Sequence, residues 1–225
     1  MLFAADSLFA RLRAACKQEW NAYTRHSFVR QLGDGTLPTA AFRRYLTQDY
    51  LFLIHFARAY GLAAYKSRSL VDIREAAAGL SAIADSEMRL HVSYCEDWGI
   101  TEDVMAAEPE AQETMAYTRY VLEAGMAGDL LDLYVALAPC IVGYGEIGSM
   151  LHGSHKLESN PYKAWIDMYA SDDYQSGARR VVNHMDRLMK SRGGEGRFEA
   201  LAGTFREATR LEAAFWDMGL KGLKG

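Results

Sequence analysis

The scarcity of proline and the spacing of apolar residues constrain this chain more than any other feature. The 225 residues include four prolines, and apolar residues recur at intervals of three and four along almost the whole length. This spacing lines up apolar side chains on one face of a helix, whereas the alternation typical of a half-buried strand is nowhere sustained. The sequence therefore predicts an all-α fold.

The predicted helices follow from this spacing and from the residues that flank it. Half of the residues are hydrophobic, which is enough for one core, so we expect residues 1–225 to form a single domain. Thr39 and Asn160 have side chains suited to a helix N-cap, and Pro161 suits a first helical turn. The predicted helices cover about residues 6–23, 27–32, 40–66, 71–98, 111–126, 161–169, 172–190 and 197–218, with a further helix after Gly128 and Asp129.

Composition and charge exclude several classes of partner. The net charge is −4 and the basic residues form no sustained run, so we expect no nucleic-acid partner. Three cysteines, none in a CxxC pair, are too few for a disulfide scaffold and fit a reducing compartment. Asp6 interrupts the N-terminus before a long apolar run, so we expect no signal peptide, and no segment has the uninterrupted apolar length that spans a bilayer. We therefore expect a cytoplasmic protein without a membrane partner.

The sequence around Cys140 combines a thiol, a phenol and several glycines. Cys140 and Tyr144 are four residues apart, so their side chains share a helix face. Pro139 suits a first helical turn, so Cys140 should lie near a helix start or a kink, where unpaired backbone N–H groups favour a thiolate. The alternative is that Cys140 is a small buried apolar residue. Three glycines, which are poor helix formers, indicate that another group packs closely here: Gly143, Gly145 and Gly148.

Two carboxyl groups are expected on apolar or aromatic helix faces. The residues three and four away from Asp49 are apolar or aromatic, and Glu212 precedes Phe215 and Trp216 by three and four. Such surroundings raise the pKa of a carboxyl group. Tyr117 adds a hydroxyl on another helix. A thiol beside a carboxylic acid of raised pKa suits attack on a flat, electron-poor ring, because the acid can protonate a ring nitrogen as sulfur adds.

Glu87 and His91, four residues apart on the helix predicted over 71–98, allow two interpretations. They could be two ligands of a metal site. They could instead form a hydrogen bond on the helix surface. The second interpretation is favoured because no other Glu/His pair at ligand spacing occurs on another helix.

Short blocks along nearly the whole chain resemble those of one enzyme family. In order, they are His26-Ser27-Phe28-Val29, LGDGTLP over 32–38, FRRYLTQDY over 42–50, Tyr117-Thr118, Ala138-Pro139-Cys140 with Tyr144 and Glu146-Ile147-Gly148, Asn160-Pro161-Tyr162 with WIDMY over 165–169, and EAAFW over 212–216. In this order and spacing they are similar to the TenA family, the thiaminase II or aminopyrimidine aminohydrolase group. Cys140 resembles the branch that carries a cysteine, since another branch uses carboxylates instead.

The resemblance implies both a fold and an activity. The implied fold is an all-α helical bundle similar to haem oxygenase, usually assembled as a homotetramer. The implied reaction converts 4-amino-5-aminomethyl-2-methylpyrimidine to 4-amino-5-hydroxymethyl-2-methylpyrimidine and ammonia, and also cleaves thiamin to the same pyrimidine and its thiazole. The substrate is thus a small molecule, and we expect no cofactor and no metal ion.

The resemblance also implies the catalytic residues. Cys140 would be the nucleophile that attacks the ring carbon next to the one bearing the aminomethyl group, and Glu212 would protonate the ring nitrogen. Asp49 would hold the exocyclic amine and the ring edge, and Tyr144 would form a hydrogen bond near the thiol. After the leaving group departs, water replaces it and the thiolate is expelled.

Three aromatic residues complete the substrate site that the resemblance implies. Tyr117 and Tyr169 would line the pyrimidine ring or stack against it. Phe52 stands where some family members have tyrosine, so it can still stack but lacks the hydroxyl. We expect the aminomethylpyrimidine to be preferred over thiamin, because the polar groups assigned to the site suit the pyrimidine and none is obviously left for the thiazolium.

Two other functions compete with the hydrolase. A pyrimidine-binding protein would keep the pocket without turnover, which an assay of the purified protein would distinguish. A haem-oxygenase-like oxidase would use Glu87 and His91 with iron, which elemental analysis would detect. The family blocks favour the hydrolase, and they leave open whether its physiological substrate is the aminopyrimidine, the formylated precursor of that compound or thiamin.

Overall fold

The computed structural model of the chain describes residues 3–96, 98–153 and 157–221, and within these ranges it contains helices and no β-strand. The predicted all-α fold is confirmed. The α-helices are α1 Leu8–Ala15, α2 Lys17–Thr24, α3 Ser27–Asp34, α4 Thr39–Lys66, α5 Leu70–Ser81, α6 Met88–Glu96, α7 Glu102–Ala107, α8 Gln112–Ala127, α9 Leu130–His152, α10 Lys163–Ala170, α11 Asp172–Arg192 and α12 Phe198–Leu220. A π-helical segment, Ala82–Glu87, joins α5 to α6, and short 3-10 turns cover Leu157–Ser159 and Glu195–Arg197.

Helix α9 lies at the centre of the bundle. It packs against α2, α4, α8, α10, α11 and α12, and every residue from 133 to 140 is buried. Helices α4, α8 and α12 also pack on one another. Side chains on the inner faces of these long helices can therefore meet around the middle of α9.

Helix α9 is long and apolar enough to span a membrane when judged by length and mean hydropathy, which is 1.5. The expectation that no segment has this character is therefore wrong for α9. However, 83% of its most apolar part is buried inside the protein. A helix that is apolar on all sides and covered by other helices is typical of a protein core.

The start of α9 differs in one respect from the prediction. The helix follows Gly128 and Asp129 as expected, and the Asp129 side chain accepts hydrogen bonds from the backbone N–H groups of Leu131 and Asp132. Pro139, however, lies well inside the helix, so of the two expected settings for Cys140, a helix start or a kink, the helix start is wrong. Packing on all sides of α9 outweighs the local preference of proline for a first turn.

The glycines of α9 permit close packing, as predicted. A Cβ atom on Gly148 would lie 2.6 Å from the carbonyl carbon of Tyr169, and one on Gly143 would overlap the ring of Tyr23. Helix α10 therefore approaches α9 at backbone contact distance. This contact fixes the position of Tyr169 relative to α9.

Two predicted helices are interrupted. The helix expected over 6–23 is divided into α1 and α2 at Cys16, where φ is −117° and ψ is 32°. Helix α1 packs on α11 and α2 packs on α12, so the break redirects the chain between two neighbours. The helix expected over 71–98 is divided by the π-helical segment, which ends at Glu87.

Both predicted N-caps are wrong. Thr39 is the first residue of α4, after Pro38. Asn160 precedes a turn and not a helix: its Oδ1 accepts from the backbone N–H of Tyr162 at 2.8 Å, and its Nδ2 donates to the carbonyl groups of Leu32 and Gly33 at 2.9 Å each. Helix α10 consequently starts only at Lys163. Helix α7 was not predicted.

Candidate active site

Four helices bring most of the predicted site residues together beside the middle of α9. The Tyr117 hydroxyl donates to Oε1 of Glu212 at 2.9 Å, and the Cys140 thiol interacts electrostatically with the same carboxyl group. The ring of Tyr144, one turn after Cys140, lies 4.9 Å from the ring of Tyr169. Helices α8, α9, α10 and α12 thus contribute to one cluster.

The surroundings of Cys140 keep its thiol protonated. Burial raises the pKa of the thiol well above its usual value, and the negative charges of Glu212, Glu87 and Asp49 raise it further. Because Cys140 lies inside α9, the unpaired N–H groups of the helix start are too far away to favour a thiolate. The expectation that the local backbone favours a thiolate is therefore wrong.

Glu212 is the carboxylic acid that the sequence predicted in an aromatic environment. It is 2% exposed, and burial raises the pKa of its carboxyl group well above the usual value. The charge of Asp49 adds to this rise, although hydrogen bonds from Tyr117 and Cys140 oppose it. A thiol that donates to a protonated carboxyl group can lose its proton as the acid gives its own to a base.

Asp49 lies in a buried hydrogen-bond network on the other side of the site. Its Oδ2 accepts from the Tyr45 hydroxyl at 2.8 Å and lies 2.6 Å from Nε2 of His91. Trp165 Nε1 donates to the Tyr45 hydroxyl at 3.2 Å. The Nδ1 atom of His91 lies 2.8 Å from the backbone oxygen of Glu87. Three helices therefore fix the orientation of the Asp49 carboxyl group.

The groups around His91 favour the charged form of its imidazole. Burial lowers the pKa of its imidazole, but the Asp49 carboxylate and the Glu87 groups outweigh burial, so the pKa is raised. A carbonyl oxygen only accepts, so Nδ1 must donate to Glu87, and Nε2 donates to Asp49 when the ring is protonated. The pair is thus an imidazolium beside a carboxylate.

A cavity of about 450 Å³ opens beside Cys140. It is lined by the π-helical segment and residues of α4, α5, α9, α10 and α11, including Phe56, Tyr60, Glu75, Glu87, Tyr134, Cys140, Met168, Asp173, Tyr174, Arg180 and His184. Cys140 and Glu87 line the cavity, whereas Glu212 and Asp49 are buried and do not line it. Of the site residues predicted from the sequence, Cys140 is the one that the cavity reaches.

Comparison with known proteins places this arrangement in a family. The model of the TENA/THI-4/PQQC family matches residues 13–222. The chain belongs to this family. The resemblance to TenA proteins drawn from the sequence blocks is therefore confirmed.

Relatives and solved structures agree with this membership. A protein of Haemophilus influenzae named only as uncharacterized is 39% identical over 202 residues, which are 89% of this chain and 93% of that protein. The aminopyrimidine aminohydrolase of Halalkalibacterium halodurans is 35% identical over 213 residues, 94% of this chain and 95% of the relative. A Silicibacter crystal structure described as a TenA family transcription regulator is 45% identical, with a TM-score of 0.89 over 95% of this chain and 96% of that one.

Phe52 shows how this TENA/THI-4/PQQC member fills the place where some TenA proteins have tyrosine. The side chain is 3% exposed, and its ring lies 5.0 Å from Tyr117 and 5.5 Å from Phe215. It also stacks on Phe56 at 4.8 Å. Phe52 therefore belongs to an aromatic wall with Phe56, Tyr117 and Phe215.

Four further residues of the site were not assigned to it from the sequence. Tyr45 and Trp165 stood in the recognised blocks without a role. Glu87 and His91 were recognised as a pair, but the favoured interpretation, a hydrogen bond on the helix surface, is wrong because His91 is fully buried against Asp49. Their spacing was the available signal. The π-helical segment that ends at Glu87 changes the helix face on which His91 lies. The sequence pattern did not predict this segment.

The structure gives no support to a metal site at Glu87 and His91. Both ring nitrogens of His91 are already within hydrogen-bond distance of oxygen atoms. Among the described residues, no group of three or more His, Cys, Asp or Glu side chains could hold a metal ion.

Proposed function

We propose that this protein is a hydrolase that acts on aminomethylpyrimidines through a cysteine nucleophile. The observation that carries the proposal is the position of the Glu212 carboxyl group, which interacts with the Cys140 thiol and accepts a hydrogen bond from the Tyr117 hydroxyl. Relatives named aminopyrimidine aminohydrolase, which cover nearly the whole chain, support the same activity. The substrate would be 4-amino-5-aminomethyl-2-methylpyrimidine, and the products 4-amino-5-hydroxymethyl-2-methylpyrimidine and ammonia.

The first step is addition of the thiol to the ring. Because the resting thiol is protonated, it needs a base at the moment of attack. Glu212 can accept the thiol proton through one carboxyl oxygen as it gives its own proton to the ring nitrogen. The ring then carries sulfur on one carbon and hydrogen on the adjacent nitrogen, and no free thiolate has to exist beside two carboxyl groups.

Asp49 orients the ring for this addition. Its carboxylate is held by the His91 imidazolium and by the Tyr45 hydroxyl, which leaves Oδ1 to accept a hydrogen bond from an amino group. The exocyclic amine of the pyrimidine is a suitable donor. A ring that is already held in the reactive orientation loses less entropy in the transition state, so the rate is higher.

The aromatic side chains define the plane of the ring. Tyr117 and Phe52 lie on the Glu212 side, and Tyr144 and Tyr169 lie beside Cys140 on α9 and α10. A flat heterocycle gains from stacking on such rings and from exclusion of water. We propose that these residues, with Asp49, form the substrate-binding site.

The second half of the reaction replaces the leaving group. Electrons of the adduct expel the group on the exocyclic carbon, water adds to the methylene that is left, and the carbon–sulfur bond breaks to regenerate the thiol. Thiamin would undergo the same steps with its thiazole as leaving group. We further propose that the protein works as a homotetramer in the cytoplasm, as the resemblance to the cysteine-containing TenA branch implies.

A turnover assay tests the proposed function. The purified protein is incubated with the aminopyrimidine, its formylated precursor and thiamin, and hydroxymethylpyrimidine is measured by chromatography. We expect this product from the aminopyrimidine. Tight binding of the pyrimidine without product would instead indicate a binding protein, and absence of both would contradict the proposal.

A further inference from the structure

Glu87 occupies a different position relative to the thiol from that of Glu212. It is the last residue of the π-helical segment Ala82–Glu87, and it lines the same cavity as Cys140. Its Oε1 accepts from the Tyr169 hydroxyl at 2.7 Å. The carboxyl group is therefore held in place at the side from which a ligand in the cavity would approach the thiol.

The two carboxyl groups beside Cys140 are suited to different tasks. Glu212 is buried, accepts a hydrogen bond from Tyr117 and does not line the cavity. Glu87 is only partly buried, and among the described residues it forms no ion pair with a lysine or arginine. A ligand in the cavity therefore has direct access to Glu87 and to the thiol.

We propose that Glu87 is a further catalytic residue, which binds the ammonium group on the exocyclic carbon of the substrate and later deprotonates the water that replaces it. This inference rests on the proposed function and names the residue that the second half of the reaction needs. It also specifies the substrate class, namely a primary amine that enters as a cation.

Protons and electrons are conserved in these steps. The carbon–nitrogen bond breaks with its electron pair going to nitrogen, so the ammonium leaves as neutral ammonia and the sulfur adduct keeps the positive charge. Water then forms the carbon–oxygen bond, and its proton passes to the Glu87 carboxylate. That proton goes on to ammonia or to solvent, and Glu87 returns to its ionised form.

The charges around Glu87 support this double role. Burial raises the pKa of the Glu87 carboxyl group to about 7, Asp49 raises it too, and His91 and the Tyr169 hydroxyl oppose the rise. A carboxyl group poised near neutral pH both accepts and releases a proton readily. The titratable groups that interact with it are Asp49 and Tyr60 of α4, His91 of α6, Cys140 of α9, Tyr169 of α10, Tyr174 of α11 and Glu212 of α12. Farther along the cavity lie Glu75, Asp173, Arg180 and His184.

The test compares Glu87→Gln with Asp85→Asn. Asp85 lies in the same π-helical segment and is exposed, so its variant controls for loss of a carboxyl group from that segment. For wild type we expect kcat/KM for the aminopyrimidine to fall as the pH drops through about 7. Glu87→Gln should lower kcat by about 10² to 10⁴ and lose this acidic limb, while Asp85→Asn keeps both.

Azide provides a readout that a structural role would not produce. Azide is an anion and attacks the methylene without giving up a proton, so it should restore product release in Glu87→Gln and yield the azidomethylpyrimidine, identified by mass spectrometry. KM should rise for the aminopyrimidine and not for thiamin, since thiamin presents no ammonium at the exocyclic carbon.

The outcomes separate this inference from the proposed function. If wild type turns over neither pyrimidine substrate, the proposed function itself fails. If wild type is active and Glu87→Gln keeps its kcat and its acidic limb, the role of Glu87 is overturned. Should Glu87→Gln not fold, Tyr169→Phe decides: loss of the hydrogen bond should move the acidic limb to higher pH, and an unmoved limb contradicts the proposal.

Discussion

Nε2 of His91 lies 2.6 Å from Oδ2 of Asp49, and both side chains are buried in the core. The other ring nitrogen of His91 is bonded to the backbone oxygen of Glu87. A charged pair of this kind, removed from water, is costly to break because the remaining partner is left uncompensated. His91 therefore both positions Asp49 and makes the fold depend on the ionisation of the pair.

The first prediction concerns stability in His91→Gln. The pKa of His91 is raised in the folded protein, so its contribution is complete below about pH 6.5, the pKa of the unfolded chain, and is lost as the pH rises through the folded value. We expect a loss of about 3 to 5 kcal/mol of unfolding free energy at pH 6, measured by urea denaturation, and a smaller loss at pH 9. His152→Gln is the control, since its contact with Asp167 is largely exposed and should contribute at most about 1 kcal/mol. A loss for His91→Gln that does not change with pH would show that the pair is not ionic.

The second prediction concerns the nucleophile. Cys140→Ser should fold normally and lose at least about a thousandfold in turnover of the aminopyrimidine, because a hydroxyl is a much weaker nucleophile than a thiol activated by Glu212. Cys16→Ser is the matched control. The Cys16 thiol faces the carbonyl group of Ala202 at 3.5 Å, where a hydroxyl can also donate, so activity should remain. Near-normal turnover in a folded Cys140→Ser protein would exclude covalent catalysis by this thiol.

The third prediction concerns the acid. Glu212→Gln should lower kcat far more than it raises KM, since the proton is delivered in the transition state and contributes little to ground-state binding. Tyr117→Phe removes the hydrogen bond to Oε1 and leaves the carboxyl group in place, so it should have the smaller effect. Asp49→Asn should change both kinetic constants. Steady-state kinetics distinguish the three variants, and an unchanged kcat in Glu212→Gln would assign the acid to another residue.

The fourth prediction concerns substrate choice. The aminomethylpyrimidine should have a higher kcat/KM than thiamin, because in the proposed mechanism Asp49 and Glu212 act on the pyrimidine and Glu87 binds an ammonium leaving group. Aromatic faces can attract the thiazolium by only about 1 to 2 kcal/mol, which discriminates little. Thiazole is the better leaving group, so the chemistry alone opposes the prediction. The test is to measure kcat/KM for both substrates at one pH. A higher value for thiamin would contradict the prediction.

The sequence predicted the fold class and the burial of two candidate-site carboxyl groups for identifiable reasons. Asp49 and Glu212 interrupt apolar helix faces, so their burial could be read from their neighbours at three and four positions. The roles of Cys140 and Tyr169 came from the resemblance to TenA proteins and not from periodicity. The burial of His91 was missed although three of its neighbours at three and four positions, Met88, Tyr94 and Cys95, are apolar or aromatic. The sequence was interpreted through the spacing of His91 to Glu87 and not through these neighbours.

Pro139 is a second residue whose position could not be predicted from its local sequence. Local preference indicated a helix start near this residue, yet α9 continues through it because helices on all sides cover that part of the chain. The missing backbone hydrogen bond is a local cost, and long-range packing decides whether the helix tolerates it. Because Cys140 lies inside α9 and not at its start, its thiol is protonated, whereas the sequence predicted a thiolate.

The π-helical segment Ala82–Glu87 makes the site sensitive to chain length. A π-helical turn holds more residues than an α-helical turn, and each residue of an α-helix advances the side chains by about 100°. Deletion of one residue here would be absorbed by a return to a regular α-helix, whereas insertion of a further residue without a further bulge would rotate the side chains that follow by about 100° and turn His91 away from Asp49. Many substitutions on the outer face of the segment should therefore be neutral during evolution, whereas insertion of one residue should inactivate the protein.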